Sequence, residues 1–506
     1  MPPRDVRLAL DEAWKLLLLN QFHDILPGSS VPLVYVESNR QFAEVRAAGE
    51  AVRDEQARFV LAEDDAPSVT LSGGQVAPGS SETPQSGAQT VALVALNSLP
   101  WERSEIVAIP LADGRPAPQV PGESQQAETL DGTKELLAEA VAPSYGYASI
   151  GRARSGGELT ARRELLANDE LRVELDPNGE VALLFDKRND RQVILPGSTG
   201  NQLVLYEDRP LNWDAWDIDA FYEEKPSPVR EILDWRVVEE GPLRAAVLIT
   251  RRAGKSTIRQ KISLARGSRR VDFATEVDWQ ERQRLLRVLF PLAINATRAT
   301  CEIQFGAVER PTHRNTSWDW ARFEVAAHKW VDLSEGGYGV ALLNDGKYGH
   351  SLHNSTLGIS LLKSPTHPDP EGDRGMHRFT YSLLPHAGDW REGQVVRRAY
   401  ELNAPLRAVP APGPAAGGSS SFLQVESDHV VVETIKVADD GDGLIVRMYE
   451  AHNQRGQVRI TFQRPVASAA EVDLLERTVG TAAVDGASVS VGLRPFEVKT
   501  LRVRLG

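Results

Sequence analysis

Hydrophobic periodicity changes character once along this chain, near Thr90, and that break constrains the fold more than any composition figure. Before it, apolar residues recur at helical spacing. After it, they come in short or alternating runs separated by turn residues, the texture of half-buried strands. No βαβ alternation and no fixed-period repeat is present, so parallel crossovers are not expected. The chain of 506 residues is therefore expected to be mainly β: a short helical-bundle segment followed by antiparallel β-sandwich domains.

The helical part begins near residue 4. Val6, Leu10, Ala13, Trp14, Leu17 and Gln21 repeat at three and four, giving a helix to about residue 22. Pro27-Gly28 ends it, and Pro32 suits the first turn of a second helix. That helix carries Val31, Tyr35, Phe42, Val45, Val52 and Phe59 on one stripe and ends near Ala62. A hairpin of two helices cannot bury both apolar faces by itself and needs a further helix or domain to cover it.

The divisions expected are a helical hairpin at 1–63, a linker at 64–90, a small β-sandwich at 91–160, a large β super-sandwich at 161–408, a Pro-, Gly- and Ser-rich linker at 409–421, and a C-terminal β-sandwich at 422–506. Strands are expected at Val91–Leu96, Glu105–Leu111, Leu171–Leu175, Val181–Phe185, Leu203–Glu207, Arg244–Thr250, Thr257–Leu264, Arg270–Val277, Val340–Leu343, Val430–Val437, Leu444–Tyr449 and Val458–Phe462. Asp176-Pro177-Asn178-Gly179 and Asn344-Asp345-Gly346 are turn signals between them.

The net charge of −13 argues against nucleic acid or an anionic membrane as the main partner. Cys301 is the only cysteine, which rules out an intramolecular disulfide and fits a cytoplasmic location. The longest early apolar run, Leu16–Leu19, is too short for a leader core, and no segment approaches the ~18 apolar residues of a membrane span.

Three stretches could carry chemistry. In Asn20-Gln21-Phe22-His23-Asp24-Ile25-Leu26-Pro27-Gly28-Ser29, a neutral imidazole suits a divalent ion and the carboxylate beside it can accept from a sugar hydroxyl. The alternative is a helix-terminal histidine bonded to backbone carbonyls, with Asp24 capping the turn. Nothing local supplies the three or four protein ligands that a catalytic metal needs. The second stretch is Trp213-Asp214-Ala215-Trp216-Asp217. Interleaved rings and carboxylates suit a pyranose, with stacking on one side and hydroxyl bonding on the other; an edge loop with inward tryptophans and solvated aspartates is equally open. The third, Glu309 to Trp320, is polar and aromatic and reads as a functional or an interface loop, with interface favoured. Phosphate-cradling glycine loops, Gly-X-Ser-X-Gly, His-Glu-X-X-His and Cys-X-X-Cys are all absent from the sequence.

The run Asn20 to Ser29 resembles the signature that closes the catalytic region of glycoside hydrolase family 38 α-mannosidases, cytosolic and bacterial branch. The likeness continues at Asp208-Arg209-Pro210 with the Trp-Asp run, at Glu309 to Trp318, Ala327-His328-Lys329-Trp330, Leu343 to Gly349 and Tyr381-Ser382-Leu383. The resemblance implies a retaining exo-α-mannosidase acting on terminal α-mannosyl residues of an oligosaccharide or simple α-mannoside. It implies an N-terminal α/β domain, a helical bundle and a galactose-mutarotase-like super-sandwich. It also implies one divalent metal, zinc or sometimes cobalt, held by two histidines and two carboxylates. By position, His23 is then a metal ligand and Asp24 a sugar contact, while Trp213, Asp214, Trp216 and Asp217 are further candidate sugar contacts. The family's α/β domain precedes this signature, so the nucleophile and general acid are expected outside this chain. It reads as a C-terminal half, inactive alone, with a separately encoded α/β half as partner and homo-oligomerisation possible through the uncovered hairpin. The alternatives are a non-catalytic carbohydrate-binding or scaffolding β-sandwich protein, or an inactive remnant of a split gene.

Overall fold

The computed structural model describes residues 4–64, 93–112, 117–151, 157–411 and 418–506. Two helices come first, α1 at Arg4–Leu19 and α2 at Pro32–Asp64, packed as a hairpin. Helix α1 stops at Leu19, the last leucine of its apolar run, and the next residue, Asn20, folds its side-chain amide back onto the Leu16 carbonyl at 2.8 Å and across to Gln41 Oε1 of α2 at 2.7 Å. The far end of α2 is anchored by Leu61, which packs with Val94 and Ala411. Much of the hairpin's apolar surface stays in solvent: Leu8, Trp14, Leu18, Leu19, Leu33 and Val36 are all exposed.

Everything after the hairpin is mainly β, and every strand pairing among the described residues is antiparallel. The small sandwich packs a three-stranded sheet, in the order 103–110, 134–142, 124–128, against a four-stranded one in the order 407–410, 93–97, 146–149, 419–421. Its core is small and alanine-rich, with Ala95, Val107, Ile109, Leu136, Ala138, Ala140 and Ile150.

The outer strands of that second sheet correct the expected linker at 409–421. Leu93–Leu96 pairs with Arg407–Pro410, and Gly146–Ala148 pairs with Ser419–Ser421. The Pro and Gly residues masked the strands because both are short edge strands, where such residues are tolerated. Residues 412–417 of that segment, and residues 65–90 of the expected first linker, lie outside the described residues, as does the start of the strand expected at Val91.

The large super-sandwich holds five-, six- and nine-stranded sheets. Its core runs from Leu166 to Leu383 and includes Phe273, Trp279, Phe290 and Tyr381, all buried. The C-terminal sandwich stacks a four- and a five-stranded sheet over Val432, Val446, Ile460, Val489 and Leu501. A helix at Val395–Asn403 welds the three β domains together. Its Val395, Val396 and Ala399 sit in one cluster with Trp101 of the small sandwich, Trp330 and Trp390 of the large one, and Tyr449 of the last. The Trp101 indole N–H donates to Glu401 Oε1 at 3.0 Å, which satisfies the one polar atom that the ring brings inside.

Candidate functional site

His23 and Asp24 lie on the turn between α1 and α2. The turn is a chain of tight backbone bonds: Ile25 and Leu26 N–H both donate to the Phe22 carbonyl, at 2.9 and 3.0 Å, and Gly28 N–H donates to Ile25 at 3.1 Å. Gly28 adopts φ +75°, the left-handed geometry that glycine enters without a Cβ penalty. The His23 side chain is 75% exposed and its Nε2 stands 3.5 Å from Asp24 Oδ2. The ring packs on Phe22, centroids 4.3 Å apart. Of the two local readings of the sequence, the one with His23 tied to backbone carbonyls is therefore not what forms: the imidazole points outward.

Tyr35 of α2 fixes the turn from behind. Its hydroxyl accepts from Ser30 N–H at 2.6 Å and donates to the Asp24 carbonyl at 3.3 Å. Burial pushes this phenol's pKa up against the lowering effect of the Ser30 bond, and the carboxylates of Asp373, Asp369 and Asp24 add to the rise. Asp369 and Asp373 therefore lie within electrostatic reach of Tyr35. Tyr35 was visible in the sequence only as one more apolar position of the α2 stripe, and Asp369 and Asp373 had no motif to mark them.

The segment 364–374 also reaches the tryptophan loop. Asp214 Oδ2 accepts from the backbone N–H and the hydroxyl of Thr366, at 2.7 and 3.0 Å. Three residues before Thr366, Lys363 pairs with buried Asp208, whose carboxyl pKa burial pushes up. The loop itself turns at Trp213, which takes φ +55° and accepts from Trp216 N–H at 2.7 Å and Asp217 N–H at 2.9 Å. Trp213 and Trp216 are exposed with ring centroids 6.1 Å apart, so the inward-tryptophan alternative does not form. Asp217 is exposed too, its Oδ1 taking the Ile218 N–H at 3.0 Å. Asp214 is half-buried and serves as a tether to Thr366; its Oδ1 is buried with no hydrogen-bond partner.

The donor set near His23 can be tested against a zinc ion. An exposed imidazole and an adjacent carboxylate have the right chemistry for it. Among the described residues, however, no group of three or more His, Cys, Asp or Glu side chains is placed to hold a metal. His350 does not help: it is fully buried, and burial pushes its pKa down to about 4. The pair fits one corner of a zinc site and not the whole of it.

Residues 4–60 match the family described as "Alpha mannosidase middle domain", residues 166–371 "Glycosyl hydrolases family 38 C-terminal domain", and residues 429–501 the family's "C-terminal beta sandwich domain". The chain is 37% identical over 510 residues to alpha-mannosidase 2C1 of Homo sapiens, covering 97% of this chain and 45% of that protein. It is 33% identical to alpha-mannosidase G of Dictyostelium discoideum and 27% identical to the alpha-mannosidase of Saccharomyces cerevisiae, covering 48% and 43% of those proteins. The chain thus spans less than half the length of these curated relatives. The crystal structure of an alpha-mannosidase from Enterococcus faecalis V583 superposes with a TM-score of 0.75 at 17% identity, covering 99% of this chain and 64% of that one, which shows the shared fold. The chain belongs to glycoside hydrolase family 38, of which it carries the middle and C-terminal domains.

Proposed function

We propose that this chain forms the helical-hairpin and β-sandwich portion of a retaining, metal-dependent exo-α-mannosidase that removes terminal α-mannosyl residues. His23 supplies one ligand to a divalent metal, zinc first and cobalt second, and Asp24 accepts from a hydroxyl of the bound sugar. Trp213 and Trp216 offer faces for the sugar chain, and Asp217 a carboxylate. The remaining ligands, the nucleophile and the general acid come from an α/β segment outside this chain, which docks over the uncovered hairpin. The working enzyme is cytoplasmic; no helix among the described residues is long and apolar enough to cross a membrane.

The observation that carries this reading is the outward imidazole of His23 beside Asp24 on a turn braced by Tyr35. A buried, backbone-bonded histidine would not have supported it. When bound, the metal would polarise the sugar's hydroxyl groups. This chain's own part is to present one nitrogen and one carboxylate in fixed relation.

The test uses the chain alone and the chain co-expressed with an α/β segment from the relatives. Hydrolysis of an aryl α-mannoside is expected only from the pair, lost on chelation and lost with His23→Ala. Chelator-sensitive turnover by the chain alone would overturn the proposal.

A further inference from the structure

We propose that Phe221, Trp318 and Trp320 form a carbohydrate-binding surface on the large sandwich that takes pyranose units of a mannose-rich glycan.

Three sequence-distant segments meet here. Phe221 lies in the 3-10 turn Ala220–Glu224, Trp318 and Trp320 lie in the short helix Ser317–Trp320, and His353 ends the strand Gly349–His353. Phe221 and Trp320 pair edge-on with centroids 6.4 Å apart. Phe221 is 61%, Trp318 76% and Trp320 47% exposed, unusual for rings of this size in a folded surface. Beside them Arg314 donates through Nη1 and Nη2 to both carboxylate oxygens of Glu223, at 2.7 and 2.8 Å.

The rings are held in place before any ligand arrives. Thr316 and Asp319 form a reciprocal capping box, with Asp319 N–H donating to Thr316 Oγ1 at 3.1 Å and Thr316 N–H to Asp319 Oδ2 at 3.2 Å. The turn carrying Phe221 is pinned from beneath. Tyr222 is buried, is bonded by Arg287, and donates to Glu324 Oε1 at 3.1 Å. Arg287 in turn pairs with Glu324 and donates to Ser351 Oγ, both at 2.8 Å. With Tyr222 locked inward, its neighbour Phe221 faces out. Rings fixed in this way lose little freedom on binding.

Exposed rings beside a fork of carboxylate and guanidinium match a pyranose. The sugar's C–H face stacks on the rings, while its hydroxyls meet lone pairs of Glu223 and N–H groups of Arg314. His353, whose pKa burial and then the Arg314 charge push down, stands within electrostatic reach of the same pair. A protein partner fits less well. It would bury the Glu223–Arg314 pair in a dry interface, where ion pairs cost desolvation and charged residues are depleted. A sugar leaves the pair wet. The choice of mannose rests on the family reading above; the site itself does not.

The test is native affinity electrophoresis of the full chain through gels containing yeast mannan, with dextran as the comparison. Mannan is expected to retard the chain and dextran is not. Phe221→Ala with Trp320→Ala should weaken the apparent affinity about tenfold, with the thermal melt as a check on folding. If that double variant unfolds, Trp318→Ala, at a freely exposed ring, is the substitute and should weaken it severalfold. His23→Ala should bind like wild type, which keeps this result separate from the mannosidase test. Absence of retardation, equal retardation by dextran, or loss of binding in His23→Ala alone would overturn the proposal. So would a folded ring variant that keeps its mannan binding but no longer associates with the α/β segment, which would mark the surface as a protein interface.

Discussion

Tyr35 holds Asp24 by its backbone. The phenol on α2 donates to the Asp24 carbonyl at 3.3 Å while accepting from Ser30 N–H at 2.6 Å, so one side chain spans both ends of the turn that presents His23. The His23–Asp24 turn is thus braced from the second helix as well as by its own backbone bonds.

Tyr35→Phe removes both bonds and leaves the ring's packing. The expected cost to the turn is about 1 kcal/mol. Hydrogen exchange at the Ser30 amide should accelerate severalfold while amides in the large sandwich stay unchanged. Exchange that is unaltered at Ser30 would show that the hydroxyl does not brace the turn.

His23→Ala should leave the fold alone, because the ring is mostly in water and, among the described residues, its partners are Phe22 and Asp24. Denaturant unfolding is expected to shift by less than about 0.5 kcal/mol. Activity of the chain combined with its α/β segment should nevertheless vanish. A large stability loss would mean that the imidazole has a packing role that its exposure does not suggest.

His350 makes stability depend on pH. Burial pushes its pKa down to about 4, against the raising effect of the Tyr348 backbone and helped by the Arg287 charge. The unfolded chain takes up the proton near pH 6.5, the folded chain only near pH 4, so the contribution is whole above about pH 6.5 and falls as pH drops toward 4. In that window the loss is about 1.4 kcal/mol per pH unit for this one group. Urea unfolding of His350→Leu measured across the window should show a slope shallower by one proton. An identical slope would place the acid sensitivity elsewhere.

The uncovered hairpin should make the chain self-associate. Leu18 and Leu33 are 63% and 75% exposed on the face that the α/β segment is proposed to cover. Light scattering of the purified chain is expected to show oligomers that grow with concentration, and Leu18→Ser with Leu33→Ser should shift them toward monomer. A stable monomer at high concentration would count against an uncovered docking face.

Much of the β architecture was legible because strand periodicity and turn chemistry are local. The strands expected at Leu171–Leu175 and Val430–Val437 form with those bounds. Asp176-Pro177-Asn178-Gly179 turns as its residues dictate: Asp176 Oδ1 accepts from Asn178 and Glu180 N–H, at 2.9 and 2.8 Å, and Gly179 takes φ +70°. The edge strands Arg407–Pro410 and Ser419–Ser421 were not legible, because their partners lie some three hundred residues away and their Pro, Gly and Ser content mimics a linker.

The candidate site divides along the same line. The sequence by itself determined that the chain is helical hairpin then antiparallel sandwich, and that a histidine and an aspartate stand at the hairpin turn. It could not determine which way His23 points, that Tyr35 braces the turn, or that segment 364–374 ties to Asp214 while lying near Tyr35. Nor could it bring Phe221 to Trp320, or Arg314 to Glu223. Periodicity and turn propensity act between neighbours in sequence, whereas side-chain direction and cross-segment bonding are settled by which surfaces the buried core forces together.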